Sequence, residues 1–277
     1  MEGRPVSSVL YDVPGPRARR RNRILSVAAV IVVLAALAWV VYRFWQTGQF
    51  ESLKWEQFTY KAIQQQLVDG LLATLKAAAT GAVLALFFGG LLAGLRMTGI
   101  RAIEVPATFV VELFRAIPLL ILIFFFYYGP LVYGLHIPNF WALVLGLTLY
   151  NGAVVSEILR TGIASLPRGQ SEAGLAIGLD RGQLFWLILL PQAVRAMLPS
   201  IISQIVVLLK DTALGFIITY PELLYVGKQM GSRLAFDLPY VPSYLVVAAV
   251  YIGMCSLLSW FANWLSRRGQ RRRAGRS

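Results

Sequence analysis

Six long runs of apolar residues, separated by shorter polar segments, dominate the chain. They cover about residues 24–42, 68–95, 105–128, 140–159, 197–219 and 241–265. Each run is long enough for a helix to cross the ~30 Å hydrocarbon layer of a bilayer. Lipid offers no water to the backbone polar groups, so a spanning segment must satisfy them within a helix. The pattern therefore predicts an all-α integral membrane protein with six transmembrane helices.

Composition agrees with this prediction. Hydrophobic residues make up 57% of the 277 residues and charged residues 14%, which is more apolar than a soluble domain needs. The formal net charge is +13, but the basic residues cluster beside apolar runs, which indicates a topology signal and not nucleic-acid binding. Cys255 is the only cysteine and His136 the only histidine. A disulfide within the chain is thus excluded, and a Cys/His metal site is not expected.

The distribution of arginine and lysine predicts the orientation of the chain. Each tail carries six arginines, whereas the segments expected outside carry five basic residues in all. Because cytoplasmic segments are enriched in Lys and Arg, we expect both termini in the cytoplasm. Residues 1–23 are then a disordered basic tail, residues 24–42 a retained helix and not a signal peptide, and residues 43–66 an outer interfacial segment. Residues 266–277 form a second basic cytoplasmic tail.

Residues 165–191 form a polar and basic stretch between the fourth and fifth apolar runs. Pro167 suits the first turn of a helix, and Gly178 breaks the pattern that follows. Asp180 and Gln183 have the spacing of a capping box that starts a second helix, which we expect to end at Pro191. The stretch is longer than a linker within a bundle requires. We therefore expect a small protruding element that another protein grips.

This stretch resembles a known family. Glu172-Ala173-Gly174, then Gly178, then Ile188-x-Leu190-Pro191 follow the pattern EAA, three residues, G, nine residues, I-x-L-P. That pattern is similar to the coupling loop, or EAA loop, of permease subunits of bacterial ABC importers. Residues 111–118, 156–163 and 210–214 are similar to the polar amino-acid (histidine/glutamine/glutamate) subfamily. Gly174 replaces the usual second alanine, and we expect it to loosen its helix by ~1 kcal/mol.

The resemblance covers about residues 67–265, which it identifies as a five-helix permease domain preceded by one extra helix. It implies a multi-pass protein of the bacterial cell membrane that imports a polar amino acid, with glutamate or glutamine favoured. It also implies the partners: ABC ATPase subunits, a second permease subunit of the same or a different sequence, and an extracytoplasmic solute-binding protein. The chain contains no G-x-x-x-x-G-K-[ST] motif, so we expect ATP hydrolysis in the partner and no cofactor on this chain.

The resemblance further implies roles within the loop. Glu172 is expected to make polar contacts in a cleft of the ATPase, Ala173 to let the helix seat closely, and Gly178 to supply the bend. Mere loop architecture is the alternative for any one of these residues.

Charged residues inside apolar runs are the remaining candidates, because each costs ~2.5–3.5 kcal/mol to insert and needs a partner. Glu112 with Arg115 and Glu157 with Arg160 have i, i+3 spacing and can form ion pairs on their own helices. We favour structural pairs there over substrate contacts. Lys210-Asp211-Thr212 lies near the middle of the fifth run, where neighbours point in different directions. A polar translocation path and an interhelical pair are nearly equal alternatives for that triplet.

Two other classes of protein fit part of the pattern. A membrane-embedded enzyme would use Glu112, Glu157 or Asp211 as acid or base, but the sequence lacks histidine and metal clusters to accompany them. A channel or scaffold that works without ATP is the other alternative. Binding of an ATPase to residues 165–191 would distinguish the transporter from both.

Overall fold

The computed structural model describes residues 15–274, and for residues 262, 263 and 265–274 it describes the backbone alone. This part of the chain contains eleven α-helices. They are α1 Pro16–Gln46, α2 Ser52–Glu56, α3 Lys61–Leu95, α4 Arg101–Ala116, α5 Leu119–Tyr128, α6 Asn139–Ala164, α7 Arg168–Ala176, α8 Arg181–Gln183, α9 Leu190–Asp211, α10 Leu223–Gly231 and α11 Tyr240–Ala274. Short 3-10 turns occupy Gln57–Thr59, Pro130–Tyr133, Thr212–Ile218 and Leu234–Phe236.

Five of the described helical segments are long and apolar enough to cross a membrane, and a bent pair makes a sixth crossing if it counts as one span. The predicted all-α membrane fold is therefore confirmed. The third crossing is not one helix, since α4 meets the segment that begins with α5 at 97°. Pro118 explains the bend, because a proline disfavours helical backbone in the residue before it. Ile117 accordingly has φ −82° and ψ 127°.

The structure divides into two compact units, the first ending at Lys54 and the second beginning at Trp55. Helix α1 belongs to the first unit and begins at Pro16, whose missing N–H is harmless at a helix start. Residues 16–23, which we expected within a disordered tail, are therefore helical and continuous with the apolar run. The expected tail's first residues, 1–14, lie outside the described part.

Two further boundaries differ from the sequence prediction. Helix α3 begins at Lys61, so residues 61–66 belong to this helix and not to the interfacial segment predicted for residues 43–66. Helix α11 continues to Ala274, so most of the tail predicted at residues 266–277 is helical as well. Polar side chains do not prevent either extension, because a helix satisfies its backbone in water as well as in lipid.

The core of the second unit lies where α3 packs most extensively against α6. Glycines allow this approach: a Cβ at Gly89 would lie 2.6 Å from the carbonyl oxygen of Gly152 and 2.7 Å from Val155 Cγ1. Small residues at helix contacts let backbones pack closely in lipid. The glycine and alanine residues of the second apolar run thus let α3 pack closely against α6 within the bundle.

Helices α8 and α9 are parts of one helical segment, Arg181–Ile218. We predicted that Pro191 would end the second loop helix, and this is wrong. A π-helical stretch, Leu184–Leu189, precedes Pro191, which occupies the first turn of α9. The wider i→i+5 pattern changes the backbone register just before a residue that has no N–H to donate. The fifth crossing is therefore directly continuous with the loop.

Candidate functional site

The coupling-type loop, residues 165–191, folds as the predicted helix, turn and second helix. Helix α7 ends after Ala176, and Gly178 turns the chain with φ +86°, a conformation in which a side chain would be strained. The predicted capping box is present: the Gln183 amide donates to Asp180 Oδ1 at 2.8 Å, and the Asp180 amide donates to Gln183 Oε1 at 3.1 Å. The turn at Gly178 and the capping box therefore fix the second loop helix relative to α7.

Gly174 has a packing role that the sequence did not reveal. The residue is buried, and a Cβ there would lie 2.6 Å from Leu184 Cδ1. The glycine thus lets α7 approach the π-helical stretch more closely than an alanine would. We expected Gly174 to loosen α7, and its close contact with Leu184 offsets that effect.

The outer surface of the loop combines one carboxylate with exposed apolar side chains. Glu172 and Ala173 are both exposed, as are Gly178 and Pro191. Exposed large apolar side chains on the same loop are Leu175, Ile177, Trp186 and Leu187. Ile188 and Leu190, in contrast, are half-buried and pack against a core cluster that includes Phe185 and Leu189. Several exposed large apolar side chains on one short loop are typical of a protein contact site.

A cavity of about 500 Å³ opens between α4, α6 and α9. Its polar lining side chains are Arg115, Tyr150, Glu157, Thr161 and Ser200. Two of the predicted candidates, Arg115 and Glu157, are therefore brought together although they lie on different helices. This size is typical of a site for a small molecule.

Glu157 is held by two arginines at the wall of this cavity. The predicted pair with Arg160 is confirmed, because Arg160 Nε donates to Glu157 Oε2 at 3.0 Å. Arg96 at the end of α3 also donates from Nη1 to Glu157 Oε2, at 2.9 Å, and its side chain is only 8% exposed. Sequence reasoning missed this contact. An arginine that ends a membrane helix was the available signal, but it did not specify a partner.

The predicted Glu112–Arg115 pair is also present. Arg115 Nη1 lies 3.4 Å from Glu112 Oε1, and both side chains are well exposed. A long contact between exposed groups contributes little stability. Arg115 can therefore exchange its partner for another anion at little cost.

The triplet Lys210-Asp211-Thr212 lies at the junction of α9 with the following 3-10 turn. Lys210 is exposed and Asp211 is half-buried. Thr212 is buried, and its hydroxyl donates to the Leu209 carbonyl at 2.7 Å. None of the three is among the lining residues of the described cavity.

Glu222 is a buried carboxylate that the sequence prediction did not include. It caps α10 by accepting from the amides of Leu224 and Tyr225, both at 2.7 Å, and it accepts from the Tyr251 hydroxyl at 2.7 Å. Burial raises the pKa of Glu222 from 4.5 to about 7, against the lowering effect of these hydrogen bonds. The available signal was a glutamate directly before an apolar helical run, in the N-cap position.

Comparison with known proteins identifies the class of molecule to which this loop and cavity belong. Residues 85–271 match the family described as the inner membrane component of binding-protein-dependent transport systems. The chain belongs to this family and is a multi-pass membrane permease of the ABC transporter type. Family membership favours a transporter over the embedded enzyme and the ATP-independent channel.

Individual relatives are amino-acid permeases. The chain is 42% identical over 235 residues to the glutamate transport system permease protein GluD of Corynebacterium glutamicum, covering 83% of this chain and 84% of that protein. It is 35% identical to a probable glutamine ABC transporter permease protein, GlnP, of Bacillus subtilis, covering 73% of this chain and 93% of that protein.

Solved structures agree on the fold. A crystal structure of an amino acid ABC transporter with histidines aligns with a TM-score of 0.67 at 28% identity, covering 74% of this chain and 94% of that one. An inward-facing structure of the MetNI methionine ABC transporter aligns with a TM-score of 0.63 at 19% identity, covering 76% and 99%. The second likeness concerns the fold alone.

Proposed function

We propose that this permease forms the translocation path of an ATP-driven importer for glutamate or glutamine, and that residues 165–191 couple it to a separate ATPase. The exposed loop carries the proposal. Its two helical pieces are fixed by a capping box and by the Gly174 contact, while Glu172 and several apolar side chains remain on its surface. Such a surface suits a cleft on a partner protein better than it suits solvent.

Mechanical coupling follows from the continuity of the second loop helix with the membrane bundle. Because Arg181–Ile218 is one helical segment, a displacement of its loop end moves the cavity-lining residues of α9 as well. The ATPase would bind and hydrolyse ATP, and this chain would bind no nucleotide. Opening and closing of the cavity would then follow the ATPase cycle.

The cavity supports an amino-acid substrate. An amino acid presents a carboxylate and an ammonium, and the cavity places Arg115 and Glu157 on facing helices. The weak Glu112–Arg115 pair leaves Arg115 available to a substrate carboxylate. The names of the relatives make glutamate and glutamine the substrates to test first.

Lys210, Asp211 and Thr212 are proposed as a further part of the path, because the exposed Lys210 and half-buried Asp211 are costly in lipid unless a substrate, water or a partner helix neutralises them. The wider assembly in this proposal comprises two permease chains, ATPase subunits and an extracytoplasmic solute-binding protein. Both termini and the coupling loop lie in the cytoplasm, as the arginine distribution favours.

The charge at Glu172 provides the test. Glu172→Lys should abolish most uptake while the subunit still inserts, because a cation would face a cleft suited to a carboxylate. Co-purification of the ATPase and stimulation of ATP hydrolysis by liganded solute-binding protein should both fall roughly tenfold or more. Proteoliposomes containing the complete transporter supply both measurements, together with uptake of labelled glutamate and glutamine.

Glu172→Gln is the matched control, since it keeps the shape of the side chain and removes only the charge. We expect an intermediate loss. Normal co-purification and normal stimulation in Glu172→Lys would show that this loop does not couple the permease to an ATPase.

A further inference from the structure

The turn between α3 and α4 is short and has a well-defined backbone conformation. It runs from Arg96 to Ile100, and Gly99 adopts φ +74°. The Gly99 amide donates to Glu104 Oε1 at 2.6 Å, which fastens the turn to the first turn of α4. Glycine is the residue that adopts this backbone without strain.

The second half of the coupling loop rests on this turn. A Cβ at Gly99 would overlap the guanidinium of Arg181, so Arg181 Nη1 lies directly against the glycine. One turn of α3 earlier, a Cβ at Gly94 would lie 3.1 Å from Phe185 Cε1. Because Gly94 and Gly99 have no side chains, Arg181 and the buried Phe185 pack directly against the backbone there. The cation also lies near the C-terminal end of α3, where a positive charge is favoured.

The other end of the same turn reaches the cavity. Arg96 caps α3 only three positions before Gly99, and its side chain donates to Glu157 Oε2 at 2.9 Å. Glu157 lines the cavity together with Arg115. Arg181 contacts Gly99, Arg96 contacts Glu157, and the short backbone of the turn joins these two contacts.

We propose that Arg181 is a positioning residue and that the α3–α4 turn transmits movement of the coupling loop to the Glu157 carboxylate. This inference rests on the proposed coupling function of the loop. The continuous α8–α9 segment moves the α9 wall of the cavity, whereas the turn acts on the α6 wall by shifting Arg96 against Glu157. Glu157 is shared between Arg96 and Arg160, so a small shift of Arg96 changes the charge that the cavity presents.

The coupling loop is thus connected to two walls of the cavity, to the α9 wall through the continuous helix and to the α6 wall through the α3–α4 turn. If only α9 responded, the Arg96–Glu157 contact would hold the α6 wall in one state throughout the cycle. With the turn engaged, both walls respond to one displacement. Discrete, packed contacts of this kind are what carries coupling between distant sites.

Arg181→Ala in the complete transporter tests the proposal. At equal amounts of bound ATPase, the amount of amino acid taken up per ATP hydrolysed should fall roughly threefold or more. Arg181→Lys should restore part of this ratio, since it keeps the cation. Arg101→Ala is the matched control, an exposed arginine at the start of α4 beside the same turn, and it should keep the wild-type ratio.

Gly99→Ala removes the same contact from the other side, because the added Cβ displaces the guanidinium. The double variant Arg181→Ala with Gly99→Ala should therefore be no worse than the stronger single variant. Additive losses, or an unchanged uptake-to-ATP ratio in Arg181→Ala, would overturn the role of the turn. If Glu172→Lys uncouples the transporter while Arg181→Ala does not, only this inference fails. If Glu172→Lys also has no effect, the coupling function itself fails.

Discussion

Glu222 and Glu157 are two carboxylates within the same bundle, and their partners differ in kind. Glu222 is fully buried and accepts only from neutral donors, two backbone amides and the Tyr251 hydroxyl. Glu157 is 23% exposed, lies between two arginines, and borders an open cavity. The two residues have the same chemistry and opposite surroundings.

The contrast separates a structural role from a functional one. Neutral donors fix Glu222 in a helix cap and leave no room for a ligand. Arg160 lies on the same helix as Glu157 and stays beside it, whereas Arg96 follows α3 and can move relative to Glu157. Stability should therefore depend mainly on Glu222, and transport mainly on Glu157.

The largest expected effect on stability comes from Glu222→Ala. It leaves two buried amides and one hydroxyl without an acceptor, at a cost of about 3–5 kcal/mol. We expect the Tm in detergent to fall by about 10 °C, measured by thermal unfolding of the purified chain. Glu222→Gln keeps one acceptor oxygen and should lose less than half as much. Equal losses in the two variants would contradict a capping role.

A smaller effect should appear as a function of pH. The pKa of Glu222 is raised to about 7, so between pH 4.5 and 7 the folded state binds more protons than the unfolded state. Stability should then fall as pH rises through this window, by roughly 3 kcal/mol in total. Because other groups titrate too, the measurement is the Tm difference between wild type and Glu222→Gln across pH 4.5–8. A flat difference would argue against the raised pKa.

The smallest loss of stability is expected for Glu157→Gln, which keeps the volume of the side chain. Arg160 is half-exposed and can turn to water, so only Arg96 loses a needed partner, at about 1–2 kcal/mol. Uptake should nevertheless fall roughly tenfold, because the cavity becomes cationic. Reconstituted vesicles and thermal unfolding of the same preparation provide the two readouts. A large fall in Tm with normal uptake would reverse the assignment of the two carboxylates.

Local signals in the sequence predicted local structure well. The Asp180–Gln183 box depends on residues three positions apart, and Glu157–Arg160 on one turn of helix, so spacing alone was sufficient. The Arg96–Glu157 contact joins residues 61 positions apart, and no local pattern specifies it. The Tyr251 contact of Glu222 was missed for the same reason, since Tyr251 lies on a different helix, whereas the cap to Leu224 and Tyr225 had a local signal that was not used.

The two prolines show where sequence rules stop. Pro118 ends α4, as a proline is expected to do, whereas Pro191 is accommodated within a continuous helix. The difference lies in tertiary packing: Leu184, Phe185 and Leu189 are buried against neighbouring helices, which holds the widened turn before Pro191 in place. Propensity is a weak guide where packing decides.

Helix α3 also has a consequence for the bilayer itself. Its 35 residues give a length of ~52 Å, compared with a hydrocarbon layer of ~30 Å. The surplus includes its first turns, where Lys61 and three glutamines, Gln64, Gln65 and Gln66, are exposed. The rest of the helix, which includes Asp69 and Lys76, is still longer than the layer, and tilting is one way in which a helix accommodates such a mismatch. A lipid mixture with longer acyl chains would draw α3 upright, which makes membrane thickness a variable that acts on the central helix of this bundle.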